Sequence, residues 1–216
     1  MNAKLKYCVV ILLLGALSSC NLTKLVPPNE QLLVQNKIDR VEGKGVDLSE
    51  ESTNIKLKPN RKILGFIRFH LWAHQYGTKG IGIQKKQNVT RRLAEKIGES
   101  PVLIDSSKIL LSSKRLSEYY FSKGFLNNTV QYAVNPRKIA GVVTLKKRAV
   151  VTYSANLGKV FRIEKVEYNA TSKTIDELIT LNADEKIILK NQRLDFDRIE
   201  MERNRLVELF RNNGYY

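Results

Sequence analysis

Two histidines, His70 and His74, have a spacing that suits metal ligands. They are four residues apart on a predicted helix, so both side chains lie on one helical face, as in many zinc sites. Catalytic zinc helices of this type need a glutamate directly after the first histidine, and Leu71 occupies that position. No third ligand is evident. We interpret the pair as part of a basic helix surface and predict no metal and no cofactor.

Acidic residues are densest in the stretch Glu200–Glu208, where a pair of catalytic carboxylates would be conceivable. They alternate with Arg198, Arg203 and Arg205 at spacings of three and four residues. That spacing is typical of a solvated helix face with ion pairs. The sequence also lacks a phosphate-binding glycine loop, a nucleophile elbow and a catalytic cysteine–histidine pair. We predict that the chain is not an enzyme; the alternative is a hydrolase or metal protein built on residues 60–101.

The N-terminus has the composition of an export signal. Lys4 and Lys6 provide a positive start, and Tyr7–Leu17 is an apolar run of about eleven residues. Such a run is too short to span a hydrocarbon core of ~30 Å. We therefore predict a cleaved signal peptide over residues 1–19.

A cysteine follows this run directly. The sequence Leu17-Ser18-Ser19-Cys20 resembles the lipobox of bacterial lipoproteins. The resemblance implies that Cys20 becomes the mature N-terminus and carries lipid, palmitate included. Asn21 is not the aspartate associated with inner-membrane retention, so the resemblance points to the outer membrane. The alternative is an ordinary secretory signal with an incidental cysteine.

The charge balance indicates an anionic partner. The chain has 37 Lys+Arg against 21 Asp+Glu, a formal net charge of +16. Such a chain suits nucleic acid, a membrane surface or an acidic protein. The export signal disfavours nucleic acid. A hydrophobic content of 43% is sufficient for packed cores in a chain of 216 residues.

The remaining elements are organised around a helix that occurs twice, ninety residues apart. The copies are Asp105–Phe125 and Asp195–Tyr216, and each ends in glycine followed by an aromatic residue. The fold signature comprises Gly124, Phe125, Gly158, Gly214 and Tyr215. One apolar stripe per copy is predicted to be buried: Ile109, Leu116, Tyr119 and Tyr120, then Ile199, Leu206, Leu209 and Phe210. The pattern indicates tandem small domains; the alternative is two unrelated amphipathic helices.

The elements between these helices complete the predicted order. They are a strand at Gln31–Val41, a short helix at Leu48–Leu57, strands at Thr129–Val134 and Val150–Leu157 joined by a long connection Asn135–Arg148, a strand at Phe161–Tyr168 and a short helix at Thr174–Leu181. Asp197 and Glu200 fit a capping box for the second long helix. We predict an α+β fold of two β-α-α-β-β units. The second unit is expected to be incomplete after its long helix.

The predicted domain boundaries follow from this order. A tether occupies residues 20–30 and contains Pro27-Pro28. The first unit occupies 31–158 with a helical insert at 60–101, and the second occupies 159–216. Within the insert, Arg61–Gln75 is predicted to be a basic, aromatic-rich helix that lies either at a membrane interface or buried between domains.

Several stretches together resemble a known family. They are Tyr153, Asn156-Leu157-Gly158, Phe161-Arg162-Ile163, the helix end Leu209–Tyr216, Cys20 and Lys58–Gly65. They are similar to polypeptide-transport-associated (POTRA) domains, and the chain resembles the N-terminal part of TamL-type lipoproteins in the BamA/TamA superfamily of outer-membrane assembly factors. The resemblance implies a lipid-anchored periplasmic arm that scaffolds partners and binds outer-membrane protein clients by strand addition.

Two further predictions concern contacts. Residues expected to touch a membrane or a partner are Arg61, Lys62, Phe66, Arg68, Phe69 and Trp72. The alternative function is a self-contained outer-membrane lipoprotein that binds a periplasmic partner protein or the anionic membrane surface through its basic residues.

Overall fold

The computed structural model describes residues 23–41, 49–63, 67–78, 96–139 and 141–215. The predicted signal peptide with Cys20, the predicted contact residue Phe66 and part of the insert lie outside these ranges. Within them, no helix has both the length and the apolar character needed to cross a membrane.

The described elements alternate strands and helices. They are β1 (Leu32–Arg40), a 3-10 helix (Ser49–Asn54), α1 (Phe69–Thr78), α2 (Ser106–Ser122), β2 (Thr129–Ile139), β3 (Val143–Asn156), α3 (Lys173–Leu181), a 3-10 turn (Ala183–Glu185) and α4 (Phe196–Asn212). The fold is therefore α+β, as predicted. The short helix predicted at Leu48–Leu57 is a 3-10 helix.

The strands form one three-stranded sheet in the order β1-β3-β2. Residues 140–142 join β2 to β3, so these two strands are antiparallel. The predicted long connection Asn135–Arg148 is wrong, because most of it continues the two strands. The predicted strand Thr129–Val134 is confirmed as the start of β2, but Asn135–Lys138 carries no apolar alternation that would have marked the rest of this strand.

The two outer strands of the sheet differ in what lies beyond them. Near the start of β1, Leu33 donates its N–H to the Val102 carbonyl oxygen (2.8 Å) and Ile104 donates to that of Gln31 (2.9 Å). Leu32 and Leu103 form an antiparallel bridge between the same segments. At the other side of the sheet, β2 is the terminal strand.

Contacts divide the chain into two compact units, each built from several segments. From here on, the terms first unit and second unit refer to these two sets of segments and not to the predicted β-α-α-β-β units. The first contains residues up to Lys37, Leu57–Ile109 and Ala133–Thr152. Its apolar cluster comprises Val26, Leu32, Val34, Leu71 and Val150, with Leu103 packed against it. Leu71 belongs to α1, so the insert contributes to this core.

The helix predicted over Arg61–Gln75 is shorter than expected, because α1 begins at Phe69. Ahead of it, Ile63 and Ile67 exchange both backbone hydrogen bonds in an isolated antiparallel bridge (2.7 and 3.0 Å). A bridge uses the N–H and C=O groups that a helix would pair along its own axis, so the two arrangements exclude each other.

The second unit contains Ile38–Lys56, Leu110–Tyr132 and Tyr153–Tyr216. Its fully buried side chains include Leu116, Tyr120, Phe125, Tyr153 and Leu157. The predicted strand Phe161–Tyr168 is reduced to one antiparallel bridge between Arg162 and Arg193. The helix predicted from Thr174 is confirmed as α3, with Ser172 at its N-cap.

The repeat is confirmed in the backbone. Helices α2 and α4 both contain 17 residues, and their ends lie ninety residues apart. Each closes with a bond from the aromatic N–H to a carbonyl five residues earlier: Phe125 to Tyr120 and Tyr215 to Phe210, both 3.0 Å. This is the Schellman geometry, which places the preceding glycine in the left-handed region.

The N-terminal ends of the two helices also correspond. Asp105 accepts a hydrogen bond from the Lys108 N–H (3.1 Å), and Asp195 accepts one from the Asp197 N–H (3.1 Å). The capping box predicted from Asp197 and Glu200 is wrong, because the Asp195 carboxylate already holds the Asp197 N–H.

Candidate functional site

Strand β2 lies at one side of the three-stranded sheet, and its residues 131–138 are all exposed. We define the open edge as residues 133–138 of β2, all of them exposed and all in the first unit. In the second unit, the start of β2 is held differently, because the Ser113 hydroxyl donates to the Val130 carbonyl oxygen (2.8 Å). The open edge is therefore the stretch that an added strand would reach.

Pro136 fixes the direction of the backbone groups along this edge. Proline in a sheet occurs where its nitrogen faces away from the neighbouring strand, because it has no N–H to donate. Alternate residues of a strand face the same side, so the Val134 N–H also faces the open side. Arg137 and Lys138 give this stretch positive charge, a feature that keeps exposed edges from pairing indiscriminately.

The first signature glycine occupies a position that only glycine fits. Gly124 has φ +86°, and a Cβ there would overlap the Leu194 carbonyl oxygen. Its own carbonyl oxygen accepts from the Phe161 N–H (2.8 Å). The end of α2 is thus joined through backbone contacts to the segment that leads into α4. Gly214 has a similar φ of +82°, but no atom lies within 4 Å of the Cβ position.

Charged groups reinforce the same junction. The Lys123 ammonium donates to Asp197 (2.6 Å) and to the buried Asp195 (3.4 Å). Burial alone would lower the pKa of Lys123, but these hydrogen bonds outweigh it and raise that pKa. Beside them the rings of Phe121 and Phe196 stack with centroids 5.6 Å apart. This group of residues determines how α2 meets α4 within the second unit.

The acidic face of α4 has the predicted ion pairs Arg203–Glu200 and Arg205–Glu202, but one of its carboxylates is buried rather than solvated. Glu202 is 3% exposed and accepts from the Tyr168 hydroxyl (2.7 Å), the Ile187 N–H (2.9 Å) and two nitrogens of Arg205 (2.7 and 3.0 Å). The Arg205 bonds are the largest contribution that lowers the pKa of Glu202 to about 2. Burial and the bond to Glu202 raise the pKa of Tyr168 to about 12.

Ser112 of α2 is the repeat equivalent of Glu202 of α4. Its buried hydroxyl accepts from the Lys56 N–H (2.9 Å), just as Glu202 accepts from that of Ile187. In each copy, a buried polar side chain of the long helix therefore holds the backbone that precedes the helix. These interactions are structural.

The predicted signature residues occupy these structural positions. Phe125 is buried, Gly158 has φ +64°, and Tyr215 is partly exposed. The apolar stripe is confirmed for α2, where Ile109, Leu116 and Tyr120 are buried, but it is only partly covered on α4, where Ile199 is 37% exposed.

The predicted contact residues that the structure describes lie in the first unit and form three groups. The Arg61 side chain pairs with Glu99, whose other oxygen accepts the Arg61 N–H (3.0 Å). Phe69 and Trp72 lie near each other on α1, with ring centroids 5.8 Å apart and Trp72 39% exposed. Lys62 and Arg68 face further cations of the hairpin, Arg137 and Arg148, which sequence reasoning missed.

The first of the two histidines has a backbone partner. The Nδ1 atom of His70 lies 2.7 Å from the Ile97 carbonyl oxygen. Across the described ranges, no three His, Cys, Asp or Glu side chains gather as metal ligands.

Comparison with known proteins gives a limited result. Neither a protein-family model nor a curated protein matches the sequence. The structure is similar to the crystal structure of POTRA domains 3–5 of BamA from Haemophilus influenzae, over 89% of this chain and 90% of that chain. The identity is 13% and the TM-score is 0.30. At this level of similarity, function must be argued from the geometry of the chain itself.

Proposed function

We propose that the chain is a periplasmic scaffold that holds an extended client segment along the open edge of its sheet. In this role it is an arm of an outer-membrane protein assembly or translocation factor of the BamA/TamA type. Acylated Cys20 anchors it to the outer membrane, with its domains facing the periplasm. Its partners are proteins, its chemistry is non-covalent, and it is not an enzyme.

The open edge carries this proposal. An edge strand offers unpaired N–H and C=O groups, and an extended peptide that pairs with them gains affinity from backbone bonds with little demand on its sequence. Such tolerance suits a protein that handles many unfolded clients. Pro136 contributes a carbonyl but no N–H, so the added strand gains most of its bonds on either side of it.

The test removes one outward backbone donor from the edge. Val134→Pro deletes the N–H of Val134 without removing a bond to β3, and Val134→Thr is the matched control, because it keeps that N–H and a β-branched side chain. The probe is a fluorescein-labelled peptide of alternating valine and serine, followed by fluorescence anisotropy with the signal-free chain. We expect Val134→Pro to raise Kd at least about tenfold and Val134→Thr to change it less than about twofold. Equal affinities for the two variants would refute strand addition.

The anchor has its own test. Cys20→Ser leaves the chain unacylated, and we expect the full-length protein to move from the outer-membrane fraction to the soluble periplasmic fraction of the cell that produces it. Continued retention of Cys20→Ser in the membrane after a high-salt wash would refute the role of Cys20 as the anchor.

A further inference from the structure

Four basic side chains of the first unit lie close enough to interact electrostatically. They are Lys62 and Arg68 ahead of α1, Arg137 on β2 and Arg148 on β3, and we call them the cationic cluster. Two of them are tied to adjacent residues of β1. The Arg68 guanidinium donates to the Val34 carbonyl oxygen, and Arg137 donates to the Gln35 side chain (2.8 Å).

Mutual repulsion acts on this cluster. Burial lowers the pKa of Arg68, and the nearby Arg148 and Arg137 lower it further. The pKa of Lys62 is lowered by partial burial and then by Arg68 and Arg137. In both cases, every contribution opposes the charged form, which is the signature of cations placed together without an anion.

Among the described residues, no carboxylate forms an ion pair with these four side chains, and the nearby Glu99 is engaged with Arg61. The Arg68 Nε is buried and has no hydrogen-bond partner in the same part of the chain. Buried donors are nearly always satisfied in folded proteins, so this N–H is available to donate to a bound acceptor.

We propose that the cationic cluster binds a phosphate group. A tetrahedral oxyanion has enough acceptors for several guanidinium groups at once, and arginine presents its donors in a fork that fits phosphate oxygens. Three arginines and a lysine carry more positive charge than a single carboxylate would neutralise. The proposal does not rest on strand addition, since it uses side chains rather than edge backbone, although Arg137 also belongs to the open edge.

Two sources would supply such a phosphate: a lipid headgroup or a soluble phosphate compound. The surroundings favour the headgroup. Trp72 and Ile63 are partly exposed near Lys62 and Arg68 in the sequence, and exposed aromatic residues beside cations are typical of surfaces that rest on a bilayer. The predicted contact residues thus gain a defined ligand chemistry and two further members, Arg137 and Arg148.

The first experiment measures phosphate binding directly. The signal-free chain is titrated with inorganic phosphate at constant ionic strength, with chloride as the replaced anion, and NMR shifts of arginine Nε–H groups are recorded. The test variant is Arg137→Gln/Arg148→Gln. The matched control is Lys96→Gln/Lys146→Gln, which removes the same charge from exposed lysines of the same unit. We expect the test variant to raise Kd for phosphate at least tenfold and the control to raise it less than twofold.

The thermal midpoint excludes a purely structural explanation. If the arginines only support the fold, the test variant melts at a lower temperature than the wild type. If they form an anion site, removing two mutually repelling charges leaves the midpoint unchanged or raises it, and added phosphate raises the midpoint of the wild type alone. A loss of phosphate affinity that is equal in test and control variants, or absent in both, would overturn the proposal.

The second experiment identifies the source. Flotation with vesicles of phosphatidylglycerol and phosphatidylcholine is compared with phosphatidylcholine alone, for the same three proteins. Recovery of wild type with the anionic vesicles, lost in the test variant but kept in the control, supports a lipid headgroup. Phosphate binding without vesicle recovery supports the site with a soluble phosphate compound as its ligand.

Discussion

Glu202→Gln tests whether a buried carboxylate organises the end of the second unit. The folded pKa of Glu202 is about 2, against an ordinary value of 4.5. That difference corresponds to about 3 kcal/mol of differential stabilisation of the ionised form. Glutamine preserves the shape of the side chain but loses the charge that the Arg205 and Tyr168 hydrogen bonds require. We expect the variant to lose about 2–3 kcal/mol at pH 7.

The sign of the pH dependence follows from the lowered pKa. Because the folded pKa lies below the unfolded one, the contribution of Glu202 is complete above about pH 5 and is lost as pH falls towards 2. The difference in stability between wild type and Glu202→Gln should therefore shrink over that range. At pH 3, roughly three fifths of this difference should be gone.

Hydrogen–deuterium exchange across Phe196–Asn212 measures the stability of α4 locally. Trp72 fluorescence is unsuitable, because Trp72 belongs to the first unit and Glu202 to the second. Under conditions where exchange follows the opening equilibrium, we expect Glu202→Gln to exchange about a hundredfold faster than wild type at pH 7 and less than about tenfold faster at pH 3. Each ratio is taken at a single pH, which cancels the intrinsic rate of amide exchange.

Glu200→Gln is the matched control, because it makes the same substitution two residues earlier on α4. Glu200 is exposed and pairs only with Arg203 (3.3 Å), so the cost should stay below about 1 kcal/mol at every pH. Similar exchange ratios for the two variants, or a Glu202→Gln ratio that does not change between pH 7 and pH 3, would refute the reasoning.

Two further predictions concern the repeat. Gly124→Ala should destabilise the chain by more than about 3 kcal/mol in urea unfolding, because its Cβ overlaps the Leu194 carbonyl. Gly214→Ala should cost only the left-handed backbone strain of about 1–2 kcal/mol. Equal costs would show that the close approach of the Leu194 backbone to Gly124 is unimportant. Tyr120→Phe should cost about 1–3 kcal/mol in the same assay, because its hydroxyl donates to the buried Glu51 carboxylate (3.1 Å). A neutral Tyr120→Phe would mean that Glu51 finds another donor.

Sequence reasoning predicted the repeated helices well because their signals are local. The aspartate cap, the apolar spacing and the terminal glycine all act within one helix, and α2 and α4 begin and end where these residues require. Strand β1 was also predicted within one residue at each end. The predicted strands Thr129–Val134 and Val150–Leu157 are confirmed as parts of β2 and β3, but their continuation towards the turn was missed, since an exposed outer strand needs no apolar alternation.

By itself, the sequence determined the pair of helices, their terminal glycines and the net charge of +16. Only the tertiary structure decided which edge of the sheet is open, that Glu202 is buried rather than solvated, and that Arg137 and Arg148 join Lys62 and Arg68. Caps and helical stripes depend on residues within a turn or two of each other, whereas burial and charge clustering depend on segments that are far apart in the chain. Their energies therefore appear only once the chain has folded.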